Sequence, residues 1–371
     1  MSQINIRNLS NENDDGSPDI VGVSTFSATS YIIPPKGTTL ERPKNPQPGD
    51  LRFNTDCASL EYFRGDTIGW TQVEMSSPDL DGGARGCIAG GAGPVKDNID
   101  YITITTLGNG IDFGNLTQAK FGGAGGGSRT RGVYMGGGTP TRLDEIDFIT
   151  FASTGNAQDF GDCDEGSRSQ GAGCSNQIRA IYAGGSSPAG VKALIDYVTI
   201  ATTGSGADFG GDLAGASETQ GGCQSSTRGV ISGGSANSNT IQYVTLMTGG
   251  NAIDFGDLDV NRNNLGGNQI SSATRGVIAG GSPALISMSY LTIATLGNAS
   301  DFGDMTENLS ACSCVDDSVR GVITGGGNPS GDAVNTMSYI HIATLGNAKD
   351  FGDLITATRT HMSTSNAHGG L

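Results

Sequence analysis

Basic residues are scarce in this chain, which carries 21 Lys and Arg against 37 Asp and Glu and has a formal net charge of -16 at pH 7. The acidic residues are spread along the sequence singly or in pairs. A nucleic-acid-binding protein needs a basic footprint for the phosphates, so no nucleic-acid partner is expected. The acidic balance predicts a solvated surface.

Long hydrophobic runs are also lacking. No stretch of eighteen apolar residues occurs, and the first fifteen residues, MSQINIRNLSNENDD, lack the basic and apolar segments of a secretory signal. We therefore expect that the protein is made in the cytoplasm and does not insert into a membrane. Seven cysteines in such a chain predict reduced thiols.

Residues for catalysis or metal binding are few. The histidines His341, His361 and His368 are scattered, and the cysteines show no pair of zinc-ligand motifs. Neither a Ser-His-Asp nor a Cys-His arrangement can be assembled from them. The sequence therefore predicts no catalytic residue, no metal site and no cofactor.

Glycine, by contrast, is abundant, with 61 residues at positions that repeat. Six related segments of the type Arg-Gly-Val-Ile-x-Gly-Gly, called anchors below, follow one another at spacings of 46, 48, 49, 47 and 45 residues. The anchors begin at Arg85, Arg131, Arg179, Arg228, Arg275 and Arg320. A period near 47 residues is typical of propellers and related repeat folds.

Each repeat contains four strand-sized segments. The anchor and the segment after it, for example 99–104, carry apolar residues on both alternating faces, which predicts burial on both sides. A Gly-Asn pair then predicts a two-residue hairpin turn into an Asp-Phe-Gly-Asp strand, whose Phe would be the bulky core residue. The last segment, rich in Gly, Ser and Cys, has side chains small enough for strands from all repeats to converge.

These features predict an all-β protein, a six-bladed β-propeller over residues 77–371. The final residues, HMSTSNAHGGL, align with the small-residue strand that precedes an anchor, so we expect them to pair beside Arg85. An extended arm, residues 1–36, and a small β-hairpin module, residues 37–76, precede the propeller. In the module, segments 51–54 and 60–63 form the predicted hairpin and Trp70 is expected to cover it.

Two repeated polar features have alternative interpretations. Each anchor Arg is expected to bind backbone carbonyls or an Asp of the next blade, and the alternative is an axial ring of guanidinium groups that binds an anion. The Asp residues of Asp-Phe-Gly-Asp are expected to accept hydrogen bonds from turn backbone. Calcium binding and contacts with other subunits remain alternatives for them.

The paired glycines and the period resemble kelch-type propellers, although the Trp and the Tyr spacing of kelch repeats are missing. The repeat TRGVxxGG…IDYxTIATxGNAxDFGDL is similar to repeats in virion structural and tail-fibre-like proteins of cyanophages and related marine phages. Residues 37–74, with GTTLERP, GDLRFN, LEYF and GW, resemble the attachment module of phage tail fibres and adhesins. The resemblance implies a non-enzymatic bacteriophage protein, made in the bacterial cytoplasm, located in the virion and assembled there as a homo-oligomer with other tail or capsid subunits.

The loops after the anchors, called variable loops below, differ in length and charge among otherwise constant repeats, which is typical of a recognition face. They span residues 93–98, 139–145, 186–193, 235–239, 282–285 and 328–335. The candidate recognition residues are Lys96, Asp97, Thr141, Arg142, Asp144, Glu145, Lys192, Asn237, Asn239, Asn328 and Asp332. The candidate virion-docking residues are Tyr31, Ile32, Ile33 and Trp70.

Three functions follow from this reading. The first is attachment to a host-surface glycan or protein through the variable loops. The second is a purely architectural role as a capsid or tail decoration or adaptor. The third is a glycan hydrolase, which would need two carboxyl groups at a set separation.

Overall fold

A computed structural model describes residues 34–56, 59–72, 84–164 and 166–371. The chain divides into two compact units, Met1–Ser77 and Pro78–Leu371. The predicted docking residues Tyr31, Ile32 and Ile33 lie outside the described residues. Within those residues the protein is all-β, and no helix there is long and apolar enough to cross a membrane.

The first unit contains a four-stranded sheet in sequence order and one short 3-10 helix, Thr39–Glu41. Its strands are β1 (Lys36–Gly37), β2 (Leu51–Asn54), β3 (Ser59–Phe63) and β4 (Trp70–Gln72). β2 and β3 form the predicted antiparallel hairpin. Trp70 lies in a further strand paired with β3, and its ring centroid is 5.5 Å from that of Phe63.

The second unit contains the repeats. Its first strands are β5 (Arg85–Ala89), β6 (Asn98–Thr103), β7 (Ile111–Asn115), β8 (Ala124–Gly127), β9 (Arg131–Thr139), β10 (Thr141–Thr150), β11 (Gln158–Asp162), β12 (Ala172–Ser175), β13 (Arg179–Ala183), β14 (Ser186–Ser187), β15 (Gly190–Val191), β16 (Ile195–Thr199) and β17 (Ala207–Asp208). The remaining strands are β18 (Gly221–Gln224), β19 (Arg228–Ser232), β20 (Ser238–Thr245), β21 (Ile253–Arg262), β22 (Gly267–Asn268), β23 (Ile270–Ser271), β24 (Arg275–Ala279), β25 (Leu285–Thr292), β26 (Ser300–Leu309), β27 (Ser313–Asp316), β28 (Arg320–Gly327), β29 (Ala333–His341), β30 (Lys349–Thr358) and β31 (Met362–Ser365).

Six sheets of the described strands correspond to the six repeats and are called repeats 1 to 6. Their strand orders, from the small-residue inner strand outward, are β31-β5-β6-β7, β8-β9-β10-β11, β12-β13-β16-β17, β18-β19-β20-β21, β23-β24-β25-β26 and β27-β28-β29-β30. β22 adds to β18 in parallel, and β14 and β15 form a separate hairpin. β31 pairs with β5, with Met362 opposite Ala89, as the sequence predicted.

Both faces of each sheet are buried against neighbouring repeats. In repeat 1, Ile99 and Tyr101 pack with residues of repeat 2, whereas Ile102 and Ile104 pack with residues of repeat 6. This division is the one that the alternation of residues 99–104 predicts. Six core clusters of this kind join consecutive repeats in the described chain, and the sixth joins repeat 6 to repeat 1.

The Phe of each Asp-Phe-Gly-Asp segment is buried, as predicted. It meets the aromatic residue of the adjacent strand in an edge-to-face contact at 5.9–6.3 Å between ring centroids. Burial of one Phe side chain contributes about 1.5–3 kcal/mol. Each repeat therefore has one aromatic pair at the centre of its outer half.

The prediction of a two-residue hairpin turn at the Gly-Asn pairs is wrong. Seven residues, 151–157, connect β10 and β11, and the Gly-Asn pair contacts the preceding repeat. Gly155 N donates to Phe113 O at 2.7 Å, and Asn156 Oδ1 accepts from Asn115 N at 3.1 Å. The pair is thus an inter-repeat contact, called the Gly-Asn clip below.

A clip joins every pair of consecutive repeats. In five of the six clips the Gly N–H donates to a Phe carbonyl. In the sixth, between repeats 4 and 3, Asn251 Oδ1 accepts from Asp212 N at 3.0 Å. The five Gly donors are Gly155 to Phe113, Gly204 to Phe160, Gly297 to Phe255, Gly346 to Phe302 and Gly108 to Phe351. The last of these joins repeat 1 to repeat 6.

The clip requires the Gly after the Phe in five repeats, and in repeat 3 it requires Gly211, one residue further on. A Cβ on Gly352, whose φ is +144°, would lie 2.5 Å from Gly108 O. We expect Gly352→Ala to lower the free energy of unfolding by about 1–3 kcal/mol, because it adds both a clash and backbone strain. Urea denaturation measures this loss.

Gly108→Ala is the matched control for that substitution. A Cβ on Gly108 meets nothing within 4 Å, although the residue lies on the other side of the same contact. We expect a change of at most about 0.5 kcal/mol. Equal losses for the two variants would contradict the role assigned to the close approach at Gly352.

Removal of residues 362–371 should abolish the cooperative unfolding transition. β31 supplies the inner partner of β5, and Met362 belongs to the core shared by repeats 1 and 2. Differential scanning calorimetry of the truncated and full-length chains tests this expectation. An unchanged transition temperature would contradict it, whereas recovery on addition of a peptide spanning residues 358–371 would support it.

Candidate functional site

The six anchor Arg side chains are used between repeats. Each guanidinium Nη1 donates to a main-chain carbonyl at the end of the next repeat's third strand, at 2.6–3.3 Å. The acceptors for Arg85, Arg131, Arg179, Arg228, Arg275 and Arg320 are Phe151, Ile200, Leu246, Ile293, Ile342 and Ile104. Each guanidinium also lies 4.3–4.8 Å from an aromatic ring of its own repeat. The prediction of carbonyl binding is confirmed.

The two Asp residues of Asp-Phe-Gly-Asp differ in role. The first accepts a turn N–H in repeats 2 and 3, where Asp159 and Asp208 bind Gly161 N and Gly210 N at 3.0 Å. The second contributes its main chain to the clip, as Asp162 O accepts from Gly206 N at 2.7 Å. Among the described residues, no group of three or more His, Cys, Asp or Glu side chains is placed to hold a metal ion.

The six described cysteines are buried free thiols. Burial raises the pKa of Cys163, Cys223 and Cys312 to about 12. A thiol with such a pKa is protonated at neutral pH and is a poor nucleophile. These buried side chains fill space within and between the repeats.

The variable loops lie at the end of the sheets where the anchor strands finish. The Gly-Gly pair that precedes each loop has positive φ, for example 63° and 113° at Gly136 and Gly137. Gly137 N donates to Arg168 O at 2.8 Å, in the segment that leads into the next inner strand. Each loop is thereby attached to the start of the following repeat.

Buried cations support this end of the sheets. Lys120 Nζ lies 2.9 Å from Asp147 Oδ2, and Arg168 Nη2 lies 2.6 Å from Asp196 Oδ2. Arg262, also fully buried, donates instead to carbonyl and hydroxyl oxygens, including Ser287 O at 2.8 Å. Each of these charged residues is therefore paired with another group of the protein.

Three predicted recognition residues bind neighbouring segments. Lys96 Nζ donates to Ala357 O at 2.5 Å, and Arg142 Nε donates to Ser186 O at 2.9 Å. Glu145 accepts from Thr117 Oγ1 at 2.6 Å. The structure thus places Lys96, Arg142 and Glu145 at contacts between repeats, where they fix the loops.

The other predicted residues are divided between loop cores and surface. Asn328 Oδ1 accepts from Ser330 N and Asp332 N at 3.0 Å, which shapes its own loop. The half-buried residues are Asp144, Lys192, Asn237 and Asn239, and the exposed ones are Asp97, Thr141 and Asp332. Trp70 lies in the first unit, apart from this set.

Segment 139–145 is mostly strand, although it was expected to be a loop. β9 ends at Thr139 and β10 begins at Thr141, with Pro140 between them. Arg142 pairs with Gly138 in this extension of the sheet. The extension is possible because Gly-rich residues 136–138 present little side-chain bulk, so the two strands continue past the Gly-Gly bend.

A ring of six left-handed residues, called the axial mouth below, was not predicted. These residues precede the inner strands and have φ between 51° and 69°: Gly122, Gln170, Thr219, Asn264, Ala311 and Thr360. Main-chain hydrogen bonds join these positions in a cycle. The six bonds run from Gly122 N to Thr360 O, Thr360 N to Ala311 O, Ala311 N to Asn264 O, Leu265 N to Thr219 O, Thr219 N to Gln170 O and Gln170 N to Gly122 O.

The residue types at these six positions do not predict the left-handed conformation of the axial mouth. Gly and Asn tolerate left-handed φ, but Thr219 and Thr360 are β-branched and disfavour it. Such a residue costs about 1–3 kcal/mol and persists only where its surroundings impose it. The variable loops and the axial mouth lie at the same end of the inner strands.

The axial mouth does not open into a deep pocket. The cavity behind it has a volume of about 10 Å³ and is lined by residues including Gly123, Gly171 and Asn264. Further along, the Asn268 side chain bridges Gly125 and Gly173. A space of this size holds one water molecule, so this end offers loop surfaces for binding.

Two carboxyl groups near the loops, those of Glu145 and Asp100, have shifted pKa values. Burial works to raise the pKa of Glu145, but hydrogen bonds from Thr117 and Gln118 outweigh it and lower that pKa. Burial raises the pKa of Asp100, which is 3% exposed and accepts from Ile355 N at 3.0 Å. The carboxyl group with the raised pKa is therefore not presented to solvent.

No protein-family model and no curated protein matches this chain. The fold and the site define an all-β repeat protein whose units are joined by cyclically ordered contacts. Its variable loops and the axial mouth lie at the same end of the sheets.

The buried His361 predicts acid sensitivity. Burial and then the charge of Lys96 lower the pKa of His361 to about 3, and its Nε2 lies 2.9 Å from Thr324 Oγ1. Above about pH 6.5 both folded and unfolded states are neutral at this position. Below it the unfolded chain takes up a proton that the folded chain excludes, so stability falls as the pH falls toward 3.

We expect His361→Gln to remove this dependence. The loss of stability in the wild type between pH 7 and 5 should exceed that of the variant by about 2 kcal/mol. Urea denaturation at each pH measures the free energy of unfolding of both proteins. Asp100, whose raised pKa favours folding in acid, contributes equally to both, so its effect cancels when the variant is compared with the wild type. Parallel pH profiles would contradict the assignment to His361.

Proposed function

We propose that this chain is a virion structural protein of the tail-fibre or adhesin type, in which a six-bladed β-propeller presents the variable loops to a host-surface glycan or protein. One observation carries the proposal. The features shared by the repeats are used between the repeats, whereas the loops around the axial mouth differ and remain at the surface. The shared features form a scaffold, and the variation is confined to one end.

The propeller arrangement is supported by the cyclic order of the contacts. Six core clusters, six anchor Arg contacts and the Gly-Asn clips all run from each repeat to the next and from repeat 6 to repeat 1. No single sheet could cover both of its apolar faces. A ring of six blades accounts for all of these contacts together.

Recognition is favoured over catalysis by the state of the polar groups. Lys96, Arg142 and Glu145 are held in internal contacts, and the exposed loop side chains include Asp97, Thr141 and Asp332. Val95, Val191 and Ile286 add partly exposed apolar groups at or beside three of the variable loops. Mixed polar and apolar surface of this kind suits glycan or protein ligands.

The first unit is the proposed attachment module. Buried Glu61 pairs with Arg42 at 2.6 Å, and both Arg42 and Arg52 lie 6.0 Å from the Trp70 ring, so the sheet is internally rigid. Leu40 is 97% exposed on the 3-10 helix. An exposed Leu on the 3-10 helix of this small unit is suited to a contact with another virion subunit.

The test measures binding of the fluorescently labelled full-length protein to a panel of marine cyanobacterial cells. The triple variant Asp97→Ala, Thr141→Ala, Asp332→Ala should bind at least about tenfold more weakly, a loss of about 1.4 kcal/mol. Extracted surface polysaccharide should compete if the ligand is a glycan. Undiminished binding by the variant would contradict loop recognition.

The matched control is the triple variant Thr154→Ala, Gln158→Ala, Lys349→Ala, whose exposed residues lie at the opposite end of the sheets. It should bind like the wild type, and both variants should unfold at the wild-type temperature. Absence of wild-type binding, together with normal incorporation into particles, would replace this proposal by a purely architectural role.

A further inference from the structure

A second small cavity lies between the inner strands, at the end opposite the axial mouth. Residues from five of the six inner strands, from β22 and from the segment after β31 line it, among them Ser175, Gln224, Asn268, Asp316, Thr364 and His368. Its volume is about 10 Å³, which is room for one water-sized occupant. This cavity is called the axial cavity below.

Asp316 brings a carboxyl group to the axial cavity. It is 2% exposed, its Oδ2 accepts from Ser271 N at 2.9 Å, and its Oδ1 accepts from Gly369 N at 3.3 Å. Burial raises the pKa of Asp316, whereas these hydrogen bonds from two main-chain N–H groups favour its ionised form, as a cation beside the carboxylate also would. Among the described residues that line the axial cavity there is no Lys or Arg to balance this charge.

Two further oxygens in the axial cavity have no hydrogen-bond partner. Gln224 Oε1 and Thr364 Oγ1 are both buried atoms without one, and each side chain belongs to a residue that is 5% exposed. A buried polar atom left unsatisfied costs about 1–3 kcal/mol. The three residues come from repeats 4, 6 and 1, yet they line the same small space.

Polar side chains border the axial cavity on two sides. Asn268 binds Gly125 N and O at 2.8 Å on one side. On the other side His368 Nε2 lies 2.8 Å from Gly127 O, and its Nδ1 accepts from Gly370 N at 3.1 Å. Burial lowers the pKa of His368 to about 4, so this ring supplies no positive charge at neutral pH.

We propose that the axial cavity binds one sodium ion, with the Asp316 carboxylate, Gln224 Oε1 and Thr364 Oγ1 among its oxygen ligands. One monovalent cation balances one carboxylate. Calcium takes six to eight oxygen ligands, usually with several carboxylates, and the axial cavity offers one. A water molecule could satisfy Gln224 and Thr364 but would leave the charge of Asp316 uncompensated.

Thermal unfolding of the full-length chain tests the proposal. The protein is held in choline chloride at constant ionic strength and titrated with sodium chloride at pH 7.5. The transition temperature should rise with saturation by about 4 °C, because a ligand that binds only the folded state stabilises it. Broadening of the sodium-23 NMR signal should follow the same saturation curve.

Asp316→Asn should abolish the sodium-dependent shift. The control is Asp317→Asn, since Asp317 does not line the axial cavity and accepts instead from Val319 N and Arg320 N. It should keep the full shift even if its transition temperature is lower. Should Asp316→Asn fail to fold, Thr364→Val provides the second test and should weaken sodium binding at least about tenfold, or 1.4 kcal/mol.

Three results would overturn the proposal. Equal transition temperatures in sodium and choline would show that no sodium ion binds, and that the axial cavity holds a water molecule or a protonated Asp316 instead. A sodium shift that Asp316→Asn retains would place the ion elsewhere. A fall in transition temperature on addition of EDTA would show a divalent ion instead. None of these results bears on the binding of host cells by the variable loops.

Discussion

The structure depends on contacts between repeats that no repeat can make within itself. Between repeats 1 and 2, Arg85 donates forward to Phe151 O, and Gly155 donates backward to Phe113 O. Each sheet has two apolar faces, and both are covered only when a repeat lies on either side. Stability is therefore a property of the whole set of repeats, and the strand supplied by residues 362–365 is part of that set.

The same constraint explains where variation is tolerated. Beneath the loops, Asp147 and Asp196 pair with buried cations, whereas Arg262 binds the hydroxyl of Ser289 at 2.7 Å. A buried charge is acceptable in each case because its partners come from fixed strand positions. The loops above these strands can then differ in length and charge without loss of the scaffold.

The two ends of the inner strands have different chemistry. At the axial mouth, backbone groups bind one another and leave side chains such as Gln170 and Thr219 half-exposed. At the other end, residues 366–371 fold over the axial cavity, and Asp316, with its pKa raised by burial, lies beneath them. The first end is suited to external ligands and the second to a small internal one.

Spacing and alternation along the chain were enough to predict the all-β class, the six repeats, the two buried faces of residues 99–104 and the pairing of β31 with β5. The remaining features depend on contacts between segments that are far apart in the sequence. Local turn preferences predicted a two-residue hairpin at Gly155. They contain no information on the hydrogen bond that Gly155 N donates to Phe113 O of the preceding repeat. The left-handed Thr219 and the oxygens around Asp316 are likewise set by chain segments distant in sequence, which local residue preferences do not encode.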